Sequence, residues 1–419
     1  TLPATLSLTS AFLKGRLVAT YDRASLTVAS HDGRGRTPAS LVRIAKPGPA
    51  SDALATRYAE RWYQRDTRFD SADRELAVTT GATVTELQGT ATEPLTGSTS
   101  AVRTSYTKRG TVKDIGGSYG SLVSRVERTA DGLVQSVHYG DAADTTTDFS
   151  YDVRRRVRTV QTYRGPPAGW NAPNNQPTFQ LLLQDDELSY DSVSNPVEIR
   201  DWRIASEWPA GAKPVSKKAQ YDDLNRVARV DHQFEGGDDA WKSPFDAENS
   251  GAADLQDPRR AKPSPHVSFD KRLLWQTFEY DWVGNTKKTD DDAHGFYDRS
   301  LGPIANDSAK PYQLASADNT SLGGGKTGQL ATRYDPAGNL TRLQAQRNGA
   351  CLPTGADCSQ VFGYEWDEVG RLTRARRWDV ATLPAITDPL PSGLPDADLR
   401  YSYDAGDQRV LKTAVDDAG

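Results

Sequence analysis

The sequence predicts an all-β protein built from tandem β-hairpins, and three observations lead to this prediction. An aromatic residue followed by aspartate, with glycine three positions later, recurs along the 419-residue chain. The residues before the aspartate alternate in character, as in "FEY" and "YSY", which is typical of strands with two different faces. Gly, Asn, Pro, Thr and Val crowd the same segments, and these residues disfavour a helix.

Seven copies of the pattern share an aromatic residue and an aspartate. They are Tyr151–Asp152, Tyr190–Asp191, Tyr221–Asp222, Tyr280–Asp281, Tyr334–Asp335, Trp366–Asp367 and Tyr403–Asp404. An eighth copy carries His31 in the aromatic position, and Tyr21–Asp22 is a weaker ninth. Repetition of this kind indicates that each copy is one structural unit.

The residue types in the pattern predict a tight turn after each aromatic residue. Aspartate can accept hydrogen bonds from backbone N–H groups two residues on. Four positions after the aromatic residue stand types that tolerate a positive φ: Gly35, Gly284, Gly338, Gly370, Asn225 and Asp407. Arg155 and Ser194 occupy this position in two copies, and we expect those turns to differ. Each unit is therefore predicted to be a strand, a tight turn and a second strand.

Only one segment is a candidate helix. The stretch "SDALATRYAERWYQ" begins at Ser51, and Asp52 could cap it. Its portion "TRYAERWY" alternates equally well as a strand, so both interpretations stay open.

Long insertions rich in Pro, Gly and Asp separate the hairpins, and this composition indicates loops. The longest begins at Phe234. Trp170, Trp241 and Phe245 lie in these insertions, which favours packing against the sheet, with disordered insertions as the alternative.

Composition limits the classes of function. Hydrophobic residues make up 36% of the chain, below the roughly 45–50% of ordinary globular domains. The 51 basic and 56 acidic residues give a net charge of -5, which offers no reason to expect binding to nucleic acid or anionic membranes. No apolar run is long enough to span a bilayer, and no signal peptide opens the chain. The first residue is Thr1 and methionine is absent, so we expect a piece of a longer protein.

The two cysteines, Cys351 and Cys358, enclose the turn-forming segment "LPTGAD". A disulfide between them would imply an oxidising compartment, and two unrelated thiols are the alternative. A zinc site is not favoured, because the chain has no second cysteine pair and its five histidines are scattered.

Three further patterns could carry chemistry, and each has a simpler interpretation. The segment "LGGGKTGQL" (322–330) resembles a phosphate-binding loop, but Thr320 stands where the first glycine belongs and a strand is expected to follow. Asp290, Asp291, Asp292 and His294 could bind metal or exchange protons, although a solvated acidic loop is commoner. Nine Trp and seventeen Tyr could form a sugar-binding surface only if aromatic side chains are exposed together on one face.

The series of tyrosine–aspartate copies resembles the YD repeats of Rhs proteins, of the B and C components of Tc toxin complexes, and of teneurins. The resemblance is dense from about Ser118 onward, including "RTADGLVQSVHYGD", and thinner before it. It implies two regions, a divergent β-rich region over 1–117 and a YD-repeat array over 118–419. It further implies that the hairpins join into one long sheet that spirals into a hollow, cocoon-like shell.

One string in the sequence matches a cleavage motif of the family. Rhs-type shells usually end in a self-cleaving core segment with a D-P-x-G motif, followed by a variable toxin. Asp335, Pro336, Ala337 and Gly338 match that string, but they lie inside a regular tyrosine–aspartate copy. We interpret them as a turn.

The resemblance implies a structural function: a secreted or surface-exported shell, or part of one, that encloses a cytotoxic polypeptide before delivery. The expected partners are the enclosed toxin, the remaining shell segments of the same or a partner chain, and a delivery-complex subunit. The alternative is a cell-surface adhesion module that recognises a glycan or a protein. No enzyme activity, catalytic residue, metal site or cofactor is predicted.

Overall fold

The computed structural model describes residues 8–9, 11–47, 54–165, 181–205, 208, 213–235, 264–267, 272–352 and 354–415. Within these ranges, 25 strands belong to one sheet whose neighbours pair in antiparallel fashion, and two strands form a second, small sheet. The predicted all-β fold class is confirmed. Trp170, Trp241 and Phe245, which we expected to pack against the sheet, lie outside the described residues.

The strands follow one another with little other structure between them. They are β1 (Ala19–Tyr21), β2 (Ser25–Ser30), β3 (Ala39–Ile44), β4 (Tyr63–Phe69), β5 (Glu75–Thr79), β6 (Ala101–Tyr106), β7 (Val112–Gly117), β8 (Val123–Arg128), β9 (Val134–Tyr139), β10 (Thr146–Tyr151), β11 (Val157–Tyr163), β12 (Leu182–Tyr190), β13 (Pro196–Asp201), β14 (Val215–Tyr221), β15 (Val227–Phe234), β16 (His266–Val267), β17 (Trp275–Tyr280), β18 (Thr286–Asp291), β19 (Gly302–Asn306), β20 (Leu314–Asp318), β21 (Gly328–Tyr334), β22 (Leu340–Arg347), β23 (Cys351–Leu352), β24 (Ser359–Trp366), β25 (Leu372–Val380), β26 (Ala397–Tyr403) and β27 (Arg409–Ala414). The helical segments that lie wholly within the described ranges are one α-helical turn, Leu54–Arg57, and two 3₁₀ turns, Thr85–Leu87 and Thr320–Leu322.

The candidate helix that begins at Ser51 divides between the two interpretations. Leu54–Arg57 is helical, whereas β4 begins at Tyr63 and pairs with β3 from Tyr63 to Asp66. Tyr58 forms an isolated bridge with Ala45, and residues 59–62 belong to neither a helix nor a strand, so each interpretation holds for only part of the segment.

The chain divides into two compact units. The first comprises Thr1–Asp185 and Ser402–Leu411, and the second Asp186–Tyr401 and Lys412–Gly419. In the first unit, each strand from β1 to β11 pairs with the next along the chain. The predicted boundary between residues 117 and 118 stays a prediction.

In the second unit the pairing runs from β12 to β26 and passes over two short strands. β15 pairs with β17, and β22 pairs with β24. The two strands passed over, β16 and β23, pair with each other, through His266 with Leu352 and Val267 with Cys351. A segment of the longest insertion is thereby joined to the loop that contains both cysteines.

Little of the sheet is deeply buried. β11 to β15 and β17, all within the described ranges, contain no buried residue. One apolar cluster lies in the first unit around Leu26, Ala45 and Tyr58, and another in the second unit around Phe296, Ala317 and Leu330. The low hydrophobic content of the chain fits a sheet whose faces are only partly covered.

The insertion between β25 and β26, in the second unit, covers a face of the sheet. The buried guanidinium of Arg342 on β22 donates to the carbonyl oxygens of Ile386, Asp388 and Pro389. A Cβ on Gly363 of β24 would lie 2.8 Å from a methyl carbon of Leu390, so the absence of a side chain there permits the close approach. This insertion packs against the sheet.

Candidate functional site: the hairpin turns

The aromatic residue of each of the seven clear copies lies at the end of a strand, whereas His31 of the eighth copy follows the last residue of β2. The last residues of β10, β12, β14, β17, β21, β24 and β26 are Tyr151, Tyr190, Tyr221, Tyr280, Tyr334, Trp366 and Tyr403. The aspartate that follows each one begins the turn. Because successive strands are antiparallel, the turns of these copies within a unit lie at the same side of its sheet.

Asp222 illustrates the shared turn geometry. Its backbone N–H donates to the carbonyl of Arg226 at 2.9 Å, and the N–H of Asn225 donates back to its carbonyl at 2.9 Å. Its carboxylate Oδ1 accepts from the N–H groups of Leu224 and Arg226, both at 2.9 Å. The pairing register shifts between Gln220 and Tyr221, which fits a short turn closed by a bulge at a positive-φ residue.

The turns at Asp152, Asp191, Asp281, Asp335, Asp367 and Asp404 close with the same two backbone hydrogen bonds. The positive-φ positions are Gly284 at 98°, Gly338 at 95°, Gly370 at 81°, Asn225 at 60° and Asp407 at 61°. Arg155 at 66° and Ser194 at 80° adopt the same conformation. Our expectation that their turns differ is wrong, because the aspartate network holds the backbone whichever side chain stands there.

A closing side chain four positions after the aspartate was missed in the sequence. Arg226 Nε donates to the second carboxylate oxygen of Asp222 at 2.7 Å, and Asn285 Nδ2 does the same to Asp281 at 3.0 Å. Equivalent contacts join Arg36 to Asp32, Arg74 to Asp70, Arg156 to Asp152, Asn195 to Asp191, Asn339 to Asp335 and Arg371 to Asp367. Arginine or asparagine in the sixth position of the pattern was the signal available in the sequence.

Three turns of the same kind are not among the nine copies counted in the sequence, although one of them lies in the segment "RTADGLVQSVHYGD" that the resemblance included. Phe69–Asp70 has the full set of aspartate contacts with Arg74. In the other two, Thr107 and Thr129 take the place of the aspartate, and their turns close through Gly110 and Gly132. A search for tyrosine–aspartate pairs passes over these copies, although the spacing to the positive-φ residue is unchanged.

The aromatic residue links one hairpin to the hairpin before it. Tyr280 lies over the guanidinium of Arg226, 4.5 Å from the ring centre, and its hydroxyl donates to the carbonyl of Val227 at 2.9 Å. Hydroxyl or indole donors make the same contact from Tyr106 to Glu75, Tyr151 to Val134, Tyr221 to Pro196, and Trp366 to Leu340. Arg74 lies 4.5 Å from the Tyr106 ring centre. The turn arginine therefore closes its own turn and supports the next aromatic ring.

The turn network also affects the charge of the aspartates. The backbone N–H of Arg226 lowers the pKa of Asp222 below its usual value, and the side chain of Arg226 acts in the same direction. The Asn339 side-chain amide lowers the pKa of Asp335. Hydrogen bonds to the ionised form explain both directions. The Asp335–Gly338 string thus has the geometry of a turn.

The acidic stretch at the end of β18 is in part deeply buried. Asp290 and Asp291 are buried, which departs from the solvated loop that we favoured. Asp290 accepts from His294 Nδ1 at 2.8 Å and from Ser300 Oγ at 3.1 Å. Asp291 accepts from backbone N–H groups and pairs with Arg299 at 2.8 Å. Among the described residues, no group of three or more His, Cys, Asp or Glu side chains could hold a metal ion.

The glycine-rich segment 322–330 and the two cysteines have structural roles. Gly323 and Gly324 adopt positive φ, and β21 begins at Gly328. A strand therefore stands where a phosphate-binding loop requires a helix. Cys351 and Cys358 form a disulfide with their Cα atoms 5.8 Å apart. In the described part of the chain, no helix is long and apolar enough to cross a membrane.

No protein-family model and no curated protein matches the sequence. A crystal structure of TcdB2-TccC3 is similar, with a TM-score of 0.50 and 16% identity over 96% of this chain and 18% of the other. A structure of the Photorhabdus luminescens Tc holotoxin pore with a mutated TccC3 has a TM-score of 0.45 and 14% identity over 96% of this chain and 18% of the other. The chain thus spans less than a fifth of these chains. At this identity, the likeness to TcdB2-TccC3 establishes a shared fold.

Proposed function

We propose that this chain forms part of a β-sheet shell, of the Rhs or Tc toxin type, that encloses a cytotoxic polypeptide before delivery. The observation that carries the proposal is the contact between successive hairpins. Because five of the aromatic residues donate a hydrogen bond to the preceding hairpin, the repeat can extend a sheet hairpin by hairpin without a second layer packed over it. A wall of this kind suits a container.

The faces of the sheet support the same role. Most strand residues are neither deeply buried nor fully exposed, and β11 to β15 contain no buried residue. A net charge of -5 from 51 basic and 56 acidic residues gives a mixed polar surface. Such a surface would hold an unfolded polypeptide without binding it tightly, and confinement would keep that polypeptide from acting on the producing cell.

The partners and location follow from this proposal. The chain would act with the enclosed polypeptide and with the remaining shell segments, as a non-enzymatic subunit of an exported delivery complex. The fold shared with TcdB2-TccC3 over 96% of this chain supports such an assembly. A purely adhesive role would instead place a membrane-spanning or adhesive domain beside the repeats in the full-length protein.

A density map of the full-length protein tests the proposal. We expect a closed wall that contains these hairpins and density inside it that is not accounted for by the wall. The matched control is the same protein with the polypeptide that follows the repeats deleted, in which the internal density should disappear. An interior filled by the side chains of the repeats themselves would contradict the proposal.

A further inference from the structure

A groove of about 910 Å³ lies in the first unit, on the edge of the sheet opposite the hairpin turns. Three aromatic side chains, Tyr119, Tyr139 and Phe149, line it together. Tyr119 follows β7, Tyr139 ends β9, and Phe149 lies on β10. The aromatic side chains are thus gathered at one surface, which is the arrangement that stacking on a sugar requires.

Two of the rings are suited to receive a ligand. Tyr139 is 37% exposed, so part of this residue is accessible from solvent. The hydroxyl of Tyr119 donates to the carbonyl of Leu87 at 3.0 Å and contacts Oγ of Ser100 at 3.1 Å. These contacts fix the Tyr119 ring before any ligand binds, which reduces the entropy lost on binding.

Hydroxyl and amide groups lie beside the rings. Thr147 Oγ1 and Thr162 Oγ1 are 2.9 Å apart, and Thr162 Oγ1 donates to Gln184 Oε1 at 3.4 Å. All three residues line the groove. Threonine hydroxyls can donate and accept, and the glutamine amide can do both at separate atoms. The groove therefore presents both kinds of hydrogen-bonding group next to apolar ring surfaces.

The charge of the groove narrows the class of ligand. Among the described residues that line it, no Lys, Arg or His is present, and Asp141 is the one charged residue. The carboxylate of Asp141 already accepts from the N–H and the hydroxyl of Thr145, at 3.0 and 2.7 Å. A phosphate, a sulfate or an acidic sugar would meet no cation here. Aromatic rings with neutral polar groups at their edges favour an uncharged ligand that has both apolar faces and many hydroxyls.

We propose that this groove binds a neutral oligosaccharide, with a pyranose ring stacked on Tyr139 and its hydroxyls bonded to the Thr147, Thr162 and Gln184 group. An apolar peptide fits less well, because its side chains would form no hydrogen bonds with Thr147, Thr162 and Gln184. The site adds recognition to the chain independently of any role as a shell.

Calorimetric titration of the full-length protein with cellohexaose, maltohexaose and chitohexaose tests the proposal, with a hyaluronan hexasaccharide as the acidic comparison. We expect at least one neutral hexasaccharide to bind and the acidic one not to bind. Tyr139→Ala should weaken that binding about tenfold or more. The control, Tyr312→Ala, removes a tyrosine that is 75% exposed in the second unit and should leave binding unchanged.

A second variant keeps the test valid if Tyr139→Ala does not fold. Thr162→Val preserves the shape of the side chain and removes only its hydroxyl, so it should also weaken binding. Three results would overturn the proposal: no neutral hexasaccharide binds, neither substitution weakens binding, or the acidic hexasaccharide binds equally well. None of them would alter the internal density expected for a shell, so the two proposals can fail separately.

Discussion

The hydroxyl of Tyr280 donates a 2.9 Å hydrogen bond to the backbone carbonyl of Val227, which lies 53 residues earlier in the chain. Tyr280 ends the first strand of one hairpin, and Val227 begins the second strand of the preceding hairpin. The bond crosses from one repeat to the next although a long insertion separates them in sequence. The repeat pattern therefore specifies contacts between hairpins as well as the turn within each one.

Tyr280→Phe removes this bond while keeping the ring over Arg226. We expect the free energy of unfolding to fall by about 0.5–1.5 kcal/mol, measured by chemical denaturation. Tyr280→Ala should cost more, because the ring contact with Arg226 is lost as well. Tyr312→Phe is the control, since Tyr312 is exposed, and it should change the value by less than about 0.5 kcal/mol. Equal effects of Tyr280→Phe and Tyr312→Phe would contradict a role for the hydroxyl.

The sequence was sufficient to predict the turn but not the contacts that join neighbouring turns. Alternation, aspartate and glycine are local signals, and they placed Tyr280 at a strand end and Asp281 in the turn. The position of Tyr280 over Arg226 depends on which hairpins become neighbours, and an insertion of variable length lies between them. The role of Arg226 in closing the turn could have been predicted from the sequence, because arginine or asparagine recurs four positions after the aspartate.

Arg155 shows where local reasoning fails. Residue preference alone disfavours arginine at a positive φ, which led us to expect a different turn. The carboxylate of Asp152 accepts from the backbone N–H groups of Arg154 and Arg156 at 2.8 and 3.0 Å. These bonds hold the backbone in the shared conformation and offset the strain at Arg155.

Gly284→Ala tests the conformational requirement of the turn without changing a side-chain contact. Gly284 has a φ of 98°, and no atom lies within 4 Å of the position that a Cβ would take. Any loss of stability would therefore come from the backbone, and we expect about 1–2 kcal/mol by chemical denaturation.

Gly325→Ala is the matched control for this substitution. Gly325 also has open space around its Cβ position, but its φ lies outside the positive region. We expect no loss, or a small gain because alanine restricts the unfolded chain. If the two substitutions destabilise the protein equally, the positive φ of Gly284 is not what the turn requires.

The turn aspartates should make the fold sensitive to acid. Hydrogen bonds from Arg226 lower the folded-state pKa of Asp222 below its ordinary value of 3.8, so below that value the unfolded state binds more protons. The stabilisation is present above about pH 4 and is lost as pH falls through the folded-state pKa. The denaturant concentration at the midpoint of unfolding should therefore decrease as the pH is lowered from 5 to 3.

Two asparagine substitutions show whether Asp222 contributes to this loss. Asp222→Asn should lower the denaturation midpoint at pH 7. The midpoint of this variant should then decrease less than that of the unmodified protein when the pH is lowered from 5 to 3. Asp223→Asn changes the neighbouring, exposed carboxylate and should leave the pH profile as it is. Identical profiles for the two variants would count against the turn network as the source of acid sensitivity.

The disulfide between Cys351 and Cys358 should hold the β16 segment in place. Val267 pairs with Cys351, and Arg347 on β22 donates to the carbonyl of Pro265. Opening the bridge frees a short loop, which costs about 2–3 kcal/mol in the chain-entropy model. Reduction should therefore increase amide hydrogen exchange at His266 and Val267, while exchange in β17 stays unchanged.

Applied to the Cys351→Ser, Cys358→Ser double variant, the same reductant should have no effect. Unchanged exchange at His266 and Val267 after reduction would show that strand pairing alone holds the segment.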